Sequence, residues 1–222
     1  MEIVRPGLAS LTIVRHGESV ANRARVAAEG SDVEMFRAAP RDADSPLSEV
    51  GRGQAEALGK RLAAEGYPFD LVLSSPYVRA RETARIALEF LECSPPRLDE
   101  RLRDRETGIL FGLTETGIRR RHPVEYAEQQ RLGGFYYRPP GGESWPDVAL
   151  RLRSVLRELD GHVLVFAHDI VIVLTRYIFG DLDEAELSAQ TAAQVRNASI
   201  TRWERDDSGL RLSMYNDAAH LG

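Results

Sequence analysis

The chain reads as an α/β protein, a three-layer α/β/α sandwich with a mostly parallel central sheet, on three observations. Short runs of Val, Ile and Leu recur at Leu11–Val14, Leu71–Leu73 and Val163–Val165. Helical-period stretches separate these runs, and strands joined through helices lie parallel with their C-terminal ends on one edge. Each run also ends on polar or charged residues, at the edge where open α/β sheets bind ligands.

The first strand delivers Arg15-His16-Gly17. Residues Arg23 to Ala43 then form a long connection with no clean period, a length that in compact domains tends to mark function. Glu49 to Glu65 reads as a helix carrying Ala55, Leu58 and Leu62 on one face. The second strand, Asp70–Leu73, runs into Ser74-Ser75-Pro76 and a helix over about 77–91, with Ser75 as its cap, Pro76 at its start and Arg79 in its first turn. Gly108 to Gly142 is rich in Gly and Arg and is read as a cap-like insertion, about 109–142, over the ligand edge. Ser144-Trp145-Pro146-Asp147 is a capping-box pattern that opens a helix to about Leu159. The third strand delivers His168-Asp169 ahead of a buried helix over Ile170–Phe179. Ile200–Trp203 and Leu210–Tyr215, joined through Asp206-Asp207-Ser208-Gly209, form a closing antiparallel hairpin. With no repeat, low-complexity tract or linker, the whole of 1–222 reads as one domain.

A chain of 222 residues buries a substantial core. A net charge of −5 argues against nucleic acid as a partner. No apolar run is long enough to span a bilayer, the N-terminus lacks the basic-then-apolar pattern of a signal peptide, and Cys93, the single cysteine, fits a reducing cytoplasm. The expectation is a cytoplasmic enzyme with no membrane partner, for which a homodimer is an open assembly.

One sheet edge thus gathers Arg15, His16, Arg79 and His168. Guanidinium forks match the equatorial oxygens of a transferring phosphoryl group. A neutral imidazole can attack phosphorus and carry the group covalently, while a second imidazole donates to the oxygens as they gain charge. The five histidines and one cysteine form no cluster at zinc spacing, so neither metal nor cofactor is expected.

The blocks that follow one another along the chain resemble the histidine phosphatase superfamily, the phosphoglycerate-mutase-like proteins. They are Arg15-His16-Gly17-Glu18-Ser19 with Asn22, Asp44-Ser45-Pro46-Leu47-Ser48 with Gly51, Gln54 and Ala55, Ser74-Ser75-Pro76 with Arg79, Ala80, Thr83 and Ala84, then Gly141-Gly142-Glu143-Ser144, and last His168. The resemblance implies that His16 is the phosphorylated nucleophile and that Arg15, Arg79 and His168 complete the phosphate pocket. It also implies that Ser19 and Asn22 serve substrate and that the chemistry needs no metal.

The general acid departs from the family's pattern. Members carry a Glu four residues before a Gly, and here that register holds Asp104 in Leu102-Arg103-Asp104-Arg105-Glu106-Thr107-Gly108. Glu106, one methylene longer, and Asp169, used by a related branch, are the alternatives. Arg119 and Arg120, with Arg121, are candidates for holding a second anionic group on a small phosphorylated substrate, although such a run is equally a solvated helix end. Three readings follow: a phosphatase acting through phospho-His16, a mutase that returns the phosphoryl group to a bound intermediate, and a phospholigand-binding module without catalysis.

Overall fold

The computed structural model describes residues 4–36, 39–189 and 195–222; readings of residues 1–3 and of Arg37 lie outside them. Six strands form one sheet in the order β3-β2-β4-β1-β5-β6. They are β1 (Leu8–Arg15), β2 (Leu71–Ser74), β3 (Arg97–Leu98), β4 (Gly161–Ala167), β5 (Ile200–Asp206) and β6 (Gly209–Asp217). β1, β4, β2 and β3 run parallel, and β5 and β6 add the antiparallel hairpin.

Alternation along the strands sorts the core into two layers. Leu11 and Ile13 of β1 and Val163 and Val165 of β4 face α6 (Trp145–Leu156) and α7 (Asp169–Phe179), while Val14, Leu164 and Phe166 face α2 (Glu49–Glu65) and α3 (Val78–Leu88). Successive strand residues point to opposite faces, so both sides of the sheet are covered, the three-layer arrangement expected of a parallel sheet. Full burial of each such Val, Leu or Phe contributes about 1.5–3 kcal/mol.

Several elements differ from the sequence reading. The connection after β1 holds a helix, α1 (Val20–Ala28), whose N-cap is Ser19, with Asn22 completing a capping box. Its polar composition hides the period that would reveal it. The segment read as a cap is helical, with α4 (Glu115–Arg121) and α5 (Pro123–Tyr136), kinked where Gly133 adopts φ 75°. Phe135 is the only buried residue of α5, so that helix carries no apolar stripe. α3 starts after Tyr77 instead of after Ser75, so Pro76 precedes the helix and Ser75 is released for another use. The helix at 145 ends at Leu156, and α8 (Glu184–Ala189) and the two-residue β3 carry no sequence signal strong enough to find. Among the described residues no helix is long and apolar enough to cross a membrane.

Candidate active site

The sheet edge is built level. Arg15 at the end of β1 pairs in register with Ala167 at the end of β4, the His16 amide donates to the Ala167 carbonyl at 2.9 Å, and the Ser75 amide after β2 donates to Phe166 at 2.9 Å. These bonds bring the His16 and His168 rings to 5.2 Å between centroids. Behind His16, Gly17 and Gly51 let two backbones touch: a Cβ on Gly17 would lie 2.5 Å from the Gly51 carbonyl, and one on Gly51 would lie 2.0 Å from that of Glu18. Thr83 Oγ1 accepts from the Gly17 amide at 3.0 Å and Gln54 Oε1 from the Glu18 amide at 2.8 Å. The sequence blocks around Gly51 and Thr83 are therefore braces that hold the His16 loop against α2 and α3.

His16 is buried, with Nδ1 2.7 Å from its neighbour's carbonyl, Gly17 O, and Nε2 3.1 Å from Arg79 Nε. A carbonyl only accepts, so Nδ1 carries the proton and Nε2 keeps a lone pair, which the Arg79 N–H meets. Burial, with Arg79, His168 and Arg15 nearby, holds the His16 pKa well below 6.5, so the ring is neutral.

Arg79 is buried and its Nη2 donates to Asp104 Oδ2 at 2.7 Å. His168 Nε2 lies 2.8 Å from Ser75 Oγ, and its Nδ1 lies 3.3 Å from Asp104 Oδ2. Burial lowers the His168 pKa against the pull of Asp104. Burial raises that of Asp104, but His168 and the permanent cation of Arg79 outweigh it and hold the carboxyl well below its usual range. Arg15 donates to the Val195 carbonyl through Nη1 and pairs with Asp169 at 3.2 Å through Nη2, while its Nε is buried without a partner among the described residues. An unmatched buried donor of this kind is costly unless an acceptor arrives.

The structure brings Arg15, His16, Arg79, His168 and Asp104 together. Of the alternative acids, Glu106 is exposed and accepts from the Tyr77 hydroxyl at 2.6 Å, and Asp169 is paired with Arg15 while accepting from the Ile170 amide at 2.7 Å. Ser19 is 1% exposed, and its hydroxyl caps α1 and donates to Asn22 Oδ1. Asn22 Oδ1 also receives the Ser19 amide at 3.0 Å, and the Asn22 amide nitrogen donates to no described protein group. The arginine run ends α4 on the surface, where Arg120 pairs with Asp32 at 2.7 Å and with Glu34 at 3.4 Å, and Arg121 pairs with Glu34 at 2.7 Å. Arg119 is exposed beside them.

Sequence reasoning missed three residues that shape the pocket. Ser75 orients His168, Tyr77 packs its ring 5.2 Å from that of His168 with the Arg79 guanidinium 5.0 Å from its centre, and Asp42 accepts from Arg79. Ser75 and Tyr77 lie inside a recognised block, but only the fold shows what they touch; Asp42 lies in no block at all. For a metal, His16, Asp104 and His168 offer ligand atoms within 4.8 Å of one another. Arg79 is bonded to two of the three, so a cation there would face a guanidinium in direct contact.

A profile of the histidine phosphatase superfamily, branch 1, matches residues 11–218. The chain is 34% identical over 186 residues to a 2,3-bisphosphoglycerate-dependent phosphoglycerate mutase of Methylobacterium radiotolerans, covering 80% of this chain and 82% of that protein. A second such mutase, of Methylobacterium sp. strain 4-46, is 38% identical over 134 residues, and the match spans 64% of its length. Among solved structures, mycobacterial glucosyl-3-phosphoglycerate phosphatase in complex with VO3 is similar with a TM-score of 0.70 at 28% identity, covering 94% of this chain and 98% of that one. Bacillus stearothermophilus YhfR gives a TM-score of 0.74 at 27% identity, covering 96% and 99%. The His16 edge, the three-layer sheet and a profile match over nearly the whole length have one common meaning: the chain belongs to branch 1 of the histidine phosphatase superfamily.

Proposed function

We propose that the chain hydrolyses phosphomonoesters through a phosphohistidine on His16. The observation that carries this reading is the His16 Nε2 lone pair, exposed to the pocket by the Nδ1 bond to Gly17, held at 3.1 Å by Arg79 Nε and accompanied by Arg15 Nε, a buried donor without a partner among the described residues. In the first step Nε2 forms the N–P bond as the ester P–O bond breaks, with Arg15, Arg79 and His168 holding the equatorial oxygens. The leaving alkoxide takes a proton from Asp104, whose carboxyl meets both Arg79 and His168, unlike Glu106 and Asp169. Asp104 is ionised in the free protein, so the proton enters with substrate: a dianionic phosphoryl group beside the carboxylate raises its affinity for one. In the second step water attacks phosphorus, Asp104 takes its proton, the P–N bond breaks, and His16 returns neutral with inorganic phosphate as product.

Hydrolysis is favoured over mutase chemistry by the cap. A mutase must keep its phosphoenzyme from water and anchor the intermediate, and of the cations proposed for that anchor, Arg119, Arg120 and Arg121, the last two are engaged with Asp32 and Glu34 and only Arg119 is left to serve. We take the substrate to be a small phosphorylated metabolite of the cytoplasm, the segment at about 109–142 to be a cap on a single domain, and a homodimer to be the assembly to test. A screen of phosphomonoesters for released phosphate, run beside a phosphoglycerate mutase assay, tests the activity. Brief mixing with substrate and an alkaline quench should trap an acid-labile phosphate on the protein and none on His16→Ala. Turnover by His16→Ala would refute the covalent route, and interconversion of 3- and 2-phosphoglycerate with little free phosphate would replace the phosphatase with a mutase.

A further inference from the structure

Every N–H of Arg79 is already matched. Its Nε meets His16 Nε2 at 3.1 Å, Nη1 donates to the Asp42 carbonyl at 2.7 Å and to Asp42 Oδ1 at 3.2 Å, and Nη2 donates to Asp42 Oδ2 at 2.9 Å and Asp104 Oδ2 at 2.7 Å. A guanidinium has five such hydrogens, and five acceptors surround this one. A phosphoryl group seated on Arg79 must therefore displace an acceptor.

Asp42 is the one free to go. His16 is fixed by the end of β1, and the Asp104 segment is tied down by Arg151, which donates to the carbonyls of Arg101 at 2.6 Å and Asp104 at 3.1 Å. Asp42 instead opens a three-residue turn, Asp42–Asp44, on the connection between α1 and α2. The turn lies between two anchored stretches: before it the Phe36 amide donates to the Gly112 carbonyl at 2.8 Å, and after it the anchors resume at Ser45, whose hydroxyl accepts from the Ala21 amide at 3.1 Å, and continue through Pro46, Leu47 and Ser48. Asp42 also has the less comfortable charge of the two carboxylates: burial pushes its carboxyl up and Asp104 adds to that, against the pull of Arg79.

We propose that Asp42 competes with the phosphoryl group for Arg79, is displaced by it, and so sets phosphate affinity and drives off the inorganic phosphate product. This rests on the phosphatase reading. The exchange replaces one bidentate anion by another, so a bare phosphate ion gains little from Arg79. The same penalty falls on an ester, which has leaving-group contacts to offset it, whereas inorganic phosphate has none and is held weakly enough to leave.

The test is titration calorimetry of inorganic phosphate into the intact protein. Asp42→Asn, which keeps shape but loses charge, should bind phosphate about tenfold more tightly. The control is Asp44→Asn, two residues away on the same turn, whose carboxylate pairs outward with Arg41 at 2.7 and 2.8 Å. It should stay within about twofold, as exposed pairs do. In the unmodified protein, hydrogen exchange at the Ser45 amide, which donates to the Asp42 carbonyl at 3.2 Å, should quicken when phosphate saturates. Unchanged or weaker binding by Asp42→Asn, equal tightening by Asp44→Asn, or slower exchange at Ser45 would each overturn displacement. If neither the unmodified protein nor Asp42→Asn binds phosphate, the pocket reading falls, and this inference with it.

Discussion

Arg79 and Arg120 each pair with two carboxylates, Asp42 and Asp104 in one case, Asp32 and Glu34 in the other, yet the first side chain is 4% exposed and the second 46%. At the sheet edge the partners sit where water screens little, so each charge fixes the protonation and direction of its neighbours. At the end of α4 the same chemistry works in solvent, where an ion pair clips two segments together at little energetic consequence. One region is built for a fixed reaction; the other can change its surface without disturbing that reaction.

The largest test of this contrast is Asp104→Asn. Loss of a general acid costs about 10²–10⁴-fold, so turnover of alkyl phosphates should fall in that range. Hydrolysis of p-nitrophenyl phosphate, whose leaving group hardly needs a proton, should fall far less. Glu106→Gln should show no such dependence on leaving group. If it does and Asp104→Asn does not, the acid belongs to the exposed rim instead of the buried edge.

Next comes exchange of arginine for lysine in the two regions. Lysine keeps the charge but loses the fork, so Arg79→Lys should lower kcat/KM by about 10²-fold. Arg120→Lys should change it by less than about twofold. Steady-state kinetics on one small phosphomonoester suffices, and comparable losses at both positions would erase the distinction between fixed and exchangeable guanidiniums.

The same division decides what could be read from the sequence. Leu11–Val14 and Val163–Val165 alternate into two cores, so the strands, their parallel order and the edge residues Arg15, His16 and His168 are all legible. The helix α2 is legible because Ala55, Leu58 and Leu62 are all buried on one face. In α5 only Phe135 is buried, and α1 buries only Ala28, so neither has a period to detect. Ser75 and Asp42 escape for another reason: they matter through contacts 93 and 37 residues away, with His168 and Arg79, which no local pattern encodes.

Acid should be felt at the edge. His16 and His168 both have folded pKa values below the ordinary 6.5, so the unfolded chain binds more protons as pH falls beneath that value. Stability is then fully present above about pH 6.5 and declines below it, by up to about 1.4 kcal/mol per pH unit for each imidazole. Urea melts at pH 7.5, 6.5 and 5.5 would measure the slope, and His16→Gln should reduce it, His168 and His220, whose pKa values burial also lowers, supplying the rest. A slope that His16→Gln leaves unchanged would mean that protons are taken up elsewhere.

The smallest expected effect lies in the clasp between the cap and the connection after α1. Glu34 accepts from Arg120 and Arg121, its carbonyl accepts from the Thr114 amide at 3.0 Å, and Met35 bridges to Leu113. The side-chain bonds are exposed and the backbone bonds survive substitution, so Glu34→Gln should leave p-nitrophenyl phosphate hydrolysis within about twofold. Freeing Arg121, and leaving Arg120 to Asp32 alone, should instead show in discrimination between esters. Glycerol 3-phosphate and 3-phosphoglycerate differ at one carbon by a hydroxymethyl or a carboxylate, and the ratio of their kcat/KM values should move toward the carboxylate in Glu34→Gln. A ratio that stays put, with p-nitrophenyl phosphate hydrolysis intact, would mean that the cap arginines lie out of reach of the leaving group even when released.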